Sequence, residues 1–166
     1  MQRTSIFMSS EDAGPNPSCS HNTITMDKKI HMQGLIIHRL NANDHEEILG
    51  HFRRLDKGSR RARFCGIVSD QWLSEYIRSI FHNDSIVCGA FANGHLRGVA
   101  ELRGIHPVWP STAEAAFSVE PDWQDIGIGD ALIQRILTMA QNRLVKSVRL
   151  MCQRENIRMW HLAEKH

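Results

Sequence analysis

At 166 residues with 42% hydrophobic and 23% charged positions, the chain has the composition of one soluble globular domain, long enough to bury a core. Its formal net charge of +2 gives no whole-molecule argument for nucleic acid or a lipid surface, and no apolar run approaches the roughly 18 residues of a membrane span. Four cysteines (Cys19, Cys65, Cys88, Cys152) lie far apart without a C-x-x-C pair, and the ten histidines show no metal-ligand spacing, so neither a disulfide framework nor a metal site is expected. The absence of a secretory apolar core makes a cytoplasmic, reducing compartment the expectation.

Residues 1–33, "MQRTSIFMSSEDAGPNPSCSHNTITMDKKIHMQ", sustain no period, and Ser, Asn, Asp, Gly and Pro crowd their middle. They read as a flexible leader, with the folded domain spanning 34–166. Order begins at "LIIHRL" (35–40), a short strand. Asn43 or Asp44 then caps an amphipathic helix with Ile48, Leu49 and Phe52 on its inner face. "KGSRRARFCGIVSD" (57–70) reads as a loop. Ser69 or Asp70 caps a second helix, "SDQWLSEYIRSIF", expected to bury Trp72, Leu73, Ile77 and Ile80. Asn93-Gly94 between two apolar runs predicts a hairpin pairing 85–91 with 96–102, because both turn residues take positive φ. "GIHPVWPST" is a loop, and "AEAAFSV" (113–119) a third strand of the meander.

"FSVEPDWQDIGIGDALIQRIL" (117–137) then runs from strand to helix through Gln124, Gly127 and Gly129. Leu132, Ile133, Ile136, Leu137, Ala140 and Leu144 supply the apolar face of a helix over 129–143. "SVRLMC" (147–152) alternates as a strand, and Asn156 opens a last helix carrying Met159, Trp160 and Leu162. The order β-α-α-β-β-β-α-β-α predicts an α/β (α+β) domain: a mixed, mostly antiparallel central sheet with helices on both faces. Glycines at the mouth of a helix let backbone approach a ligand closely, and the helix start offers unpaired N–H groups to an anion.

Gln124-Asp125-Ile126-Gly127-Ile128-Gly129 matches the [Q/R]-x-x-G-x-[G/A] hallmark of the GNAT superfamily of acyl-CoA N-acyltransferases, which the chain resembles from about residue 34 to its end. Asn156-x-x-Met159-x-x-Leu162 resembles the family's N-x-x-[AM]-x-x-L helix. The resemblance implies acetyl-CoA as cosubstrate, with Gln124 in its binding loop and its pyrophosphate on backbone N–H groups of Asp125, Ile126, Gly127, Ile128, Gly129 and Asp130. It further implies the pantetheine arm along Ser118 and Val119, and a contact from Asn156. Family loops often carry a basic residue where Ile126 stands, and here Asp125 and Asp130 add negative charge near the same place.

Acetyl transfer needs a neutral amine, which for lysine at pH 7.4 lies roughly 4 kcal/mol uphill, so a carboxylate is sought as general base. Glu114 is the candidate, on the same strand face as Ser118 and about 13 Å from it. "AEAAFSV" resembles the A-E-x-A strand of bacterial protein-lysine acetyltransferases, whose catalytic glutamate holds this place, and Ser59, Arg63 and Phe64 match the same branch. Glu101 is its rival and Glu120 a third choice. The tyrosine of many family members is replaced by Ala163, and the only tyrosine, Tyr76, lies in the second helix.

The acceptor is then a primary amine, a protein lysine or a small molecule, with no nucleic-acid or membrane partner and a homodimer allowed. The alternative is a non-catalytic acyl-CoA-binding or regulatory module. Family domains continue past the last helix with two more strands, whereas this chain stops at "AEKH". The domain is thus expected to be truncated after that helix, leaving the sheet with an unpaired edge and an exposed apolar face.

Overall fold

The computed structural model describes residues 3–9, 34–82, 85–105, 112–153 and 156–166. Strands β1 (Arg3–Ser9), β2 (Ile36–Arg39), β3 (Ile86–Ala92), β4 (His95–Gly104), β5 (Thr112–Val119) and β6 (Ser147–Gln153) form one sheet in the order β1-β6-β5-β4-β3-β2. Among the described residues five α-helices accompany it: α1 (His45–Arg54), α2 (Lys57–Phe64), α3 (Asp70–His82), α4 (Ile128–Asn142) and α5 (Ile157–Glu164).

The expected hairpin is present, with Asn93 at φ 53° and Gly94 at φ 75° joining antiparallel β3 and β4. β5 continues the antiparallel meander. The crossover through α4 then returns the chain as β6, parallel to β5. One apolar cluster packs α4 against the sheet through Ile128, Leu132, Ile133 and Ile136, with Met159, Trp160 and Leu162 of α5 at its margin. On the other face Ile48, Leu49 and Phe52 of α1 meet Leu73, Ile77 and Ile80 of α3. Helices thus cover both faces, as their periodic apolar residues require.

Five expectations need correction. Arg3–Ser9, read as part of a flexible leader, is a strand in register with all of β6, from Arg3↔Gln153 to Ser9↔Ser147. The sheet edge at β6 is therefore paired by the start of the chain, where an unpaired edge was expected; residues 10–33 lie outside the described ones. Residues 57–64 form α2 rather than a loop. Asp56 caps it by accepting from the Ser59 N–H at 2.6 Å, and the arginines that hid its apolar rhythm are good helix formers. Trp72 is not buried but 42% exposed, and Leu144, 85% exposed, falls past the end of α4 with φ 59°. The "GIHPVWPST" loop lies largely outside the described residues.

Candidate active site

β5 and β6 pair only from Thr112↔Ser147 to Ala115↔Leu150 and then part. Beyond Ala115 the backbone of β5 alternates. The Glu120 N–H bonds to the Arg97 carbonyl on the β4 side at 2.9 Å, so the peptide groups of Phe117 and Val119 turn the other way, into the gap. The gap opens into a cavity of about 580 Å³ that runs from α2 to the start of α4.

At the far end of this cavity lies the glycine loop. Gly127, at φ 93°, is the N-cap of α4 and brings no side chain to the helix's first N–H groups, which leaves them for an anion. A Cβ on Gly129 would stand 3.0 Å from Leu162 Cδ2, a tight contact to which the leucine side chain would have to yield. Both features suit the pyrophosphate of coenzyme A: a backbone cradle with room made by missing side chains.

The sequence candidates divide. Ser118, Val119, Gln124 and Asp125 line the cavity, as do Gly127, Gly129, Asp130 and Asn156. Ile126 and Ile128 do not; Ile128 is buried in the core and Ile126 packs against it. The Gln124 amide donates to the Val119 carbonyl at 2.9 Å and accepts from Arg158, tying the loop to the parted end of β5. Asn156 caps α5, its side-chain oxygen accepting from the Met159 N–H at 3.2 Å. The two loop carboxylates are neutralised by partners that sequence reading did not supply. Asp125 lies 3.6 Å from Arg158, and Asp130 is held by Lys165 at 2.6 Å and His166 at 2.9 Å. Burial opposes the Asp130 charge, but these hydrogen bonds outweigh it and hold the carboxyl below its usual range.

Glu114 lies on a second, smaller cavity of about 210 Å³ that shares Arg63, Ala115 and Ala116 with the first. Its side chain is 27% exposed, with Arg149 at 3.2 Å and Arg103 at 3.9 Å. The rival carboxylates are differently occupied. Glu101 is buried and accepts from Arg63 at 3.0 Å and from the Tyr76 hydroxyl. Burial, together with Glu101, pushes Tyr76 up to about 12 against the pull of Arg63, so it remains a donor. Glu120 is desolvated yet lowered to about 2, because His51, Arg97 and Arg54 all bond to it. A carboxylate so stabilised is a poor proton acceptor.

Two features beside the cavities were missed. Arg63 lies inside a ring of aromatics, 4.9 Å from the Phe64 centroid, with Trp72 stacked on Tyr76 at 5.2 Å beyond it. His51 is fully buried, with Nε2 2.9 Å from Ser118 Oγ and Nδ1 3.4 Å from Glu120 Oε1. Its place at i+3 from Ile48 and beside Phe52 was a legible sign that it faces inward.

Among solved structures, the GNAT domain of S. lividans PAT superposes with a TM-score of 0.69 at 17% identity, covering 79% of each chain. An N-acetyltransferase from Staphylococcus aureus Mu50 gives 0.66 at 16%, covering 80% of this chain and 81% of the other. The PaiA N-acetyltransferase from Thermoplasma acidophilum, in complex with coenzyme A, gives 0.58 at 22%, covering 80% and 87%. No curated protein sequence matches the chain. The shared architecture is that of the acetyltransferases. The sequence profile of the acetyltransferase (GNAT) family matches residues 49–166, and the chain belongs to that family.

Proposed function

We propose that the protein is an acetyl-CoA-dependent N-acetyltransferase of a primary amine, a protein lysine or a small molecule, with Glu114 as general base. One observation carries this reading. A backbone cradle and a parted strand pair form a single cavity, and that cavity adjoins a second one holding the only partly exposed carboxylate of the three candidates. The start of α4 and Gly127 would hold the pyrophosphate, and the Phe117 peptide groups and the Val119 N–H, whose own carbonyl is already taken by Gln124, would hold the arm. When bound, acetyl-CoA supplies an acetyl group activated as a thioester.

Glu114 then accepts a proton from the incoming ammonium, directly or through one water, and frees the amine's lone pair for attack. The ion pair with Arg149 fixes the carboxylate at the cavity wall. Phe64, Trp72 and Tyr76 shape the amine's approach, and Tyr76, protonated at neutral pH, gives its hydroxyl proton to Glu101. The free thiols Cys65, Cys88 and Cys152 fit the reducing, cytoplasmic setting we assign.

Calorimetric titration of acetyl-CoA tests the cavity. The wild type should bind with a dissociation constant on the order of micromolar, about 8 kcal/mol. A Gly127→Glu, Gly129→Glu double variant, which fills the cradle with carboxylates, should lose that binding. A panel of amine acceptors then tests turnover. A well-folded wild-type chain that binds no acetyl-CoA defeats the reading.

A further inference from the structure

The acetyl-transfer reading leaves one set of buried reactive groups unused. Ser118 Oγ lies 2.9 Å from His51 Nε2, and His51 Nδ1 lies 3.4 Å from Glu120 Oε1. The partners assign the tautomer. A carboxylate only accepts, so Nδ1 carries the proton, and Nε2 presents its lone pair to the serine hydroxyl. Burial holds the ring neutral despite the pull of Glu120, with Arg54 and Arg63 acting in the same direction as burial. Arg54 at 2.7 Å and Arg97 at 2.8 Å fix the carboxylate behind it.

At the other end of this chain Ser118 lines the larger cavity, where β5 has left β6. Its neighbours Phe117 and Val119 turn their N–H groups into the same gap, where they can meet a developing oxyanion. A hydroxyl, an imidazole and a carboxylate in this order are the parts of an activated nucleophile. A bond serving only to fasten α1 to the sheet would not need to end at a substrate cavity.

We propose that Ser118 is an acyl acceptor, activated by His51 and positioned through Glu120, which takes an acyl group from a thioester lying in the β5–β6 gap and yields it to water, making the protein a thioester hydrolase in the absence of an amine. The thioester source rests on the cavity being a coenzyme A site; the nucleophile does not. Ser118 Oγ bonds to the carbonyl carbon as its proton passes to His51 Nε2. Breaking the carbon–sulfur bond releases the thiol, which carries that proton away. Water then attacks the acyl-serine ester, giving a proton to His51, which returns it to Ser118 Oγ as the carboxylic acid leaves. Water is the only co-reactant.

The test uses the full chain and two acyl donors, p-nitrophenyl acetate, which needs no pyrophosphate cradle, and acetyl-CoA without amine. Intact mass and peptide mapping should find one acetyl group on Ser118 with either donor. Ser118→Ala should lose it and Ser118→Cys retain it, with thermal melts confirming both folds. His51→Gln should slow acylation about a hundredfold or more, the scale of a general base. Glu120→Gln should move the pH profile of acylation to lower pH, which a purely structural role would not do. An unlabelled Ser118 with both donors in the folded wild type, or equal labelling of Ser118→Ala, overturns the proposal. Labelling by the ester but not by acetyl-CoA sustains the nucleophile and overturns the coenzyme A reading instead.

Discussion

Exchanging each of the two strand carboxylates for its amide should separate stability from catalysis. Glu101 and Arg63 are an ion pair with both side chains nearly inaccessible, 5% and 7% exposed. Glu101→Gln leaves the guanidinium charged among Phe52, Phe64 and Tyr76. Breaking one side of a buried pair costs about 3–5 kcal/mol, and the amide oxygen that remains puts this case near 3. For a chain of this size that is about 6–12 °C in melting temperature. Glu114 is 27% exposed against partners at 32% and 48%, so Glu114→Gln should cost no more than about 1 kcal/mol. Turnover should respond the other way. Glu114→Gln should lower kcat by roughly 10²–10⁴, while Glu101→Gln, assayed below its own melting point, should stay within about fivefold of wild type. Thermal melts and initial rates with an amine acceptor read both quantities. Equal stability losses, or a larger kcat loss at Glu101, would refute the division of roles.

Three further outcomes follow from the same geometry. His51 and Glu120 both have lowered pKa values in the folded state, so each loses its stabilising contribution as pH falls, His51 from 6.5 downward and Glu120 only from 4.5 toward about 2. Stability should therefore fall by up to about 1.36 kcal/mol per pH unit below 6.5, and melts of His51→Gln between pH 7.5 and 5.5 should show a flatter slope. Gly127→Ala places a Cβ at φ 93°, a strain of about 1–2 kcal/mol; calorimetry should show acetyl-CoA affinity reduced about tenfold. Deleting residues 1–9 removes the strand that pairs with β6 from Ser147 to Gln153. At about 1 kcal/mol per ladder hydrogen bond the variant should unfold at markedly lower denaturant and, with its edge bare, elute from size exclusion as oligomers. A monomer of unchanged stability would contradict that account.

The elements legible in the sequence were those whose signal is local. Asn93-Gly94 states its turn within two residues, and the apolar repeat from Leu132 to Ala140 states its helix within three turns. The glycine loop was legible because the backbone requirement falls on Gly127 itself. What was missed depends on distant partners. β1 is a short strand whose partner lies at the opposite end of the chain, and nothing within "RTSIFMS" names β6. α2 was hidden because its inward residue is an arginine. Arg63 is tolerated there only because Glu101 on β4 and Tyr76 on α3 converge on it, a fact of tertiary structure alone. Asp125 and Asp130 looked adverse to a phosphate site for the same reason, since Arg158 comes from α5 and Lys165 and His166 from the residues after it. The choice among Glu101, Glu114 and Glu120 also needed the fold, because only burial and partners distinguish three carboxylates on neighbouring positions of a meander.

Strand alternation on β5 explains why the chemistry collects there. Glu114, Ala116 and Ser118 share one face, and Ala113, Ala115 and Phe117 the other, where they join the core against α4. On the first face a carboxylate stands at one end and a hydroxyl at the other, with only a methyl group between them. Ala116 borders both cavities, and its small side chain adds little bulk between them. The same alternation sends the peptide groups of Phe117 and Val119 into the gap, because β6 has turned away and Glu120 is already bound to β4. Parting two strands thus costs ladder hydrogen bonds at one point and yields unpaired donors there. α4, whose own first N–H groups are free, starts a short loop later. The proposed backbone recognition of the acyl donor and the proposed nucleophile both follow from β5 being left without its neighbour for half its length, with the proposed base on the half still paired to β6.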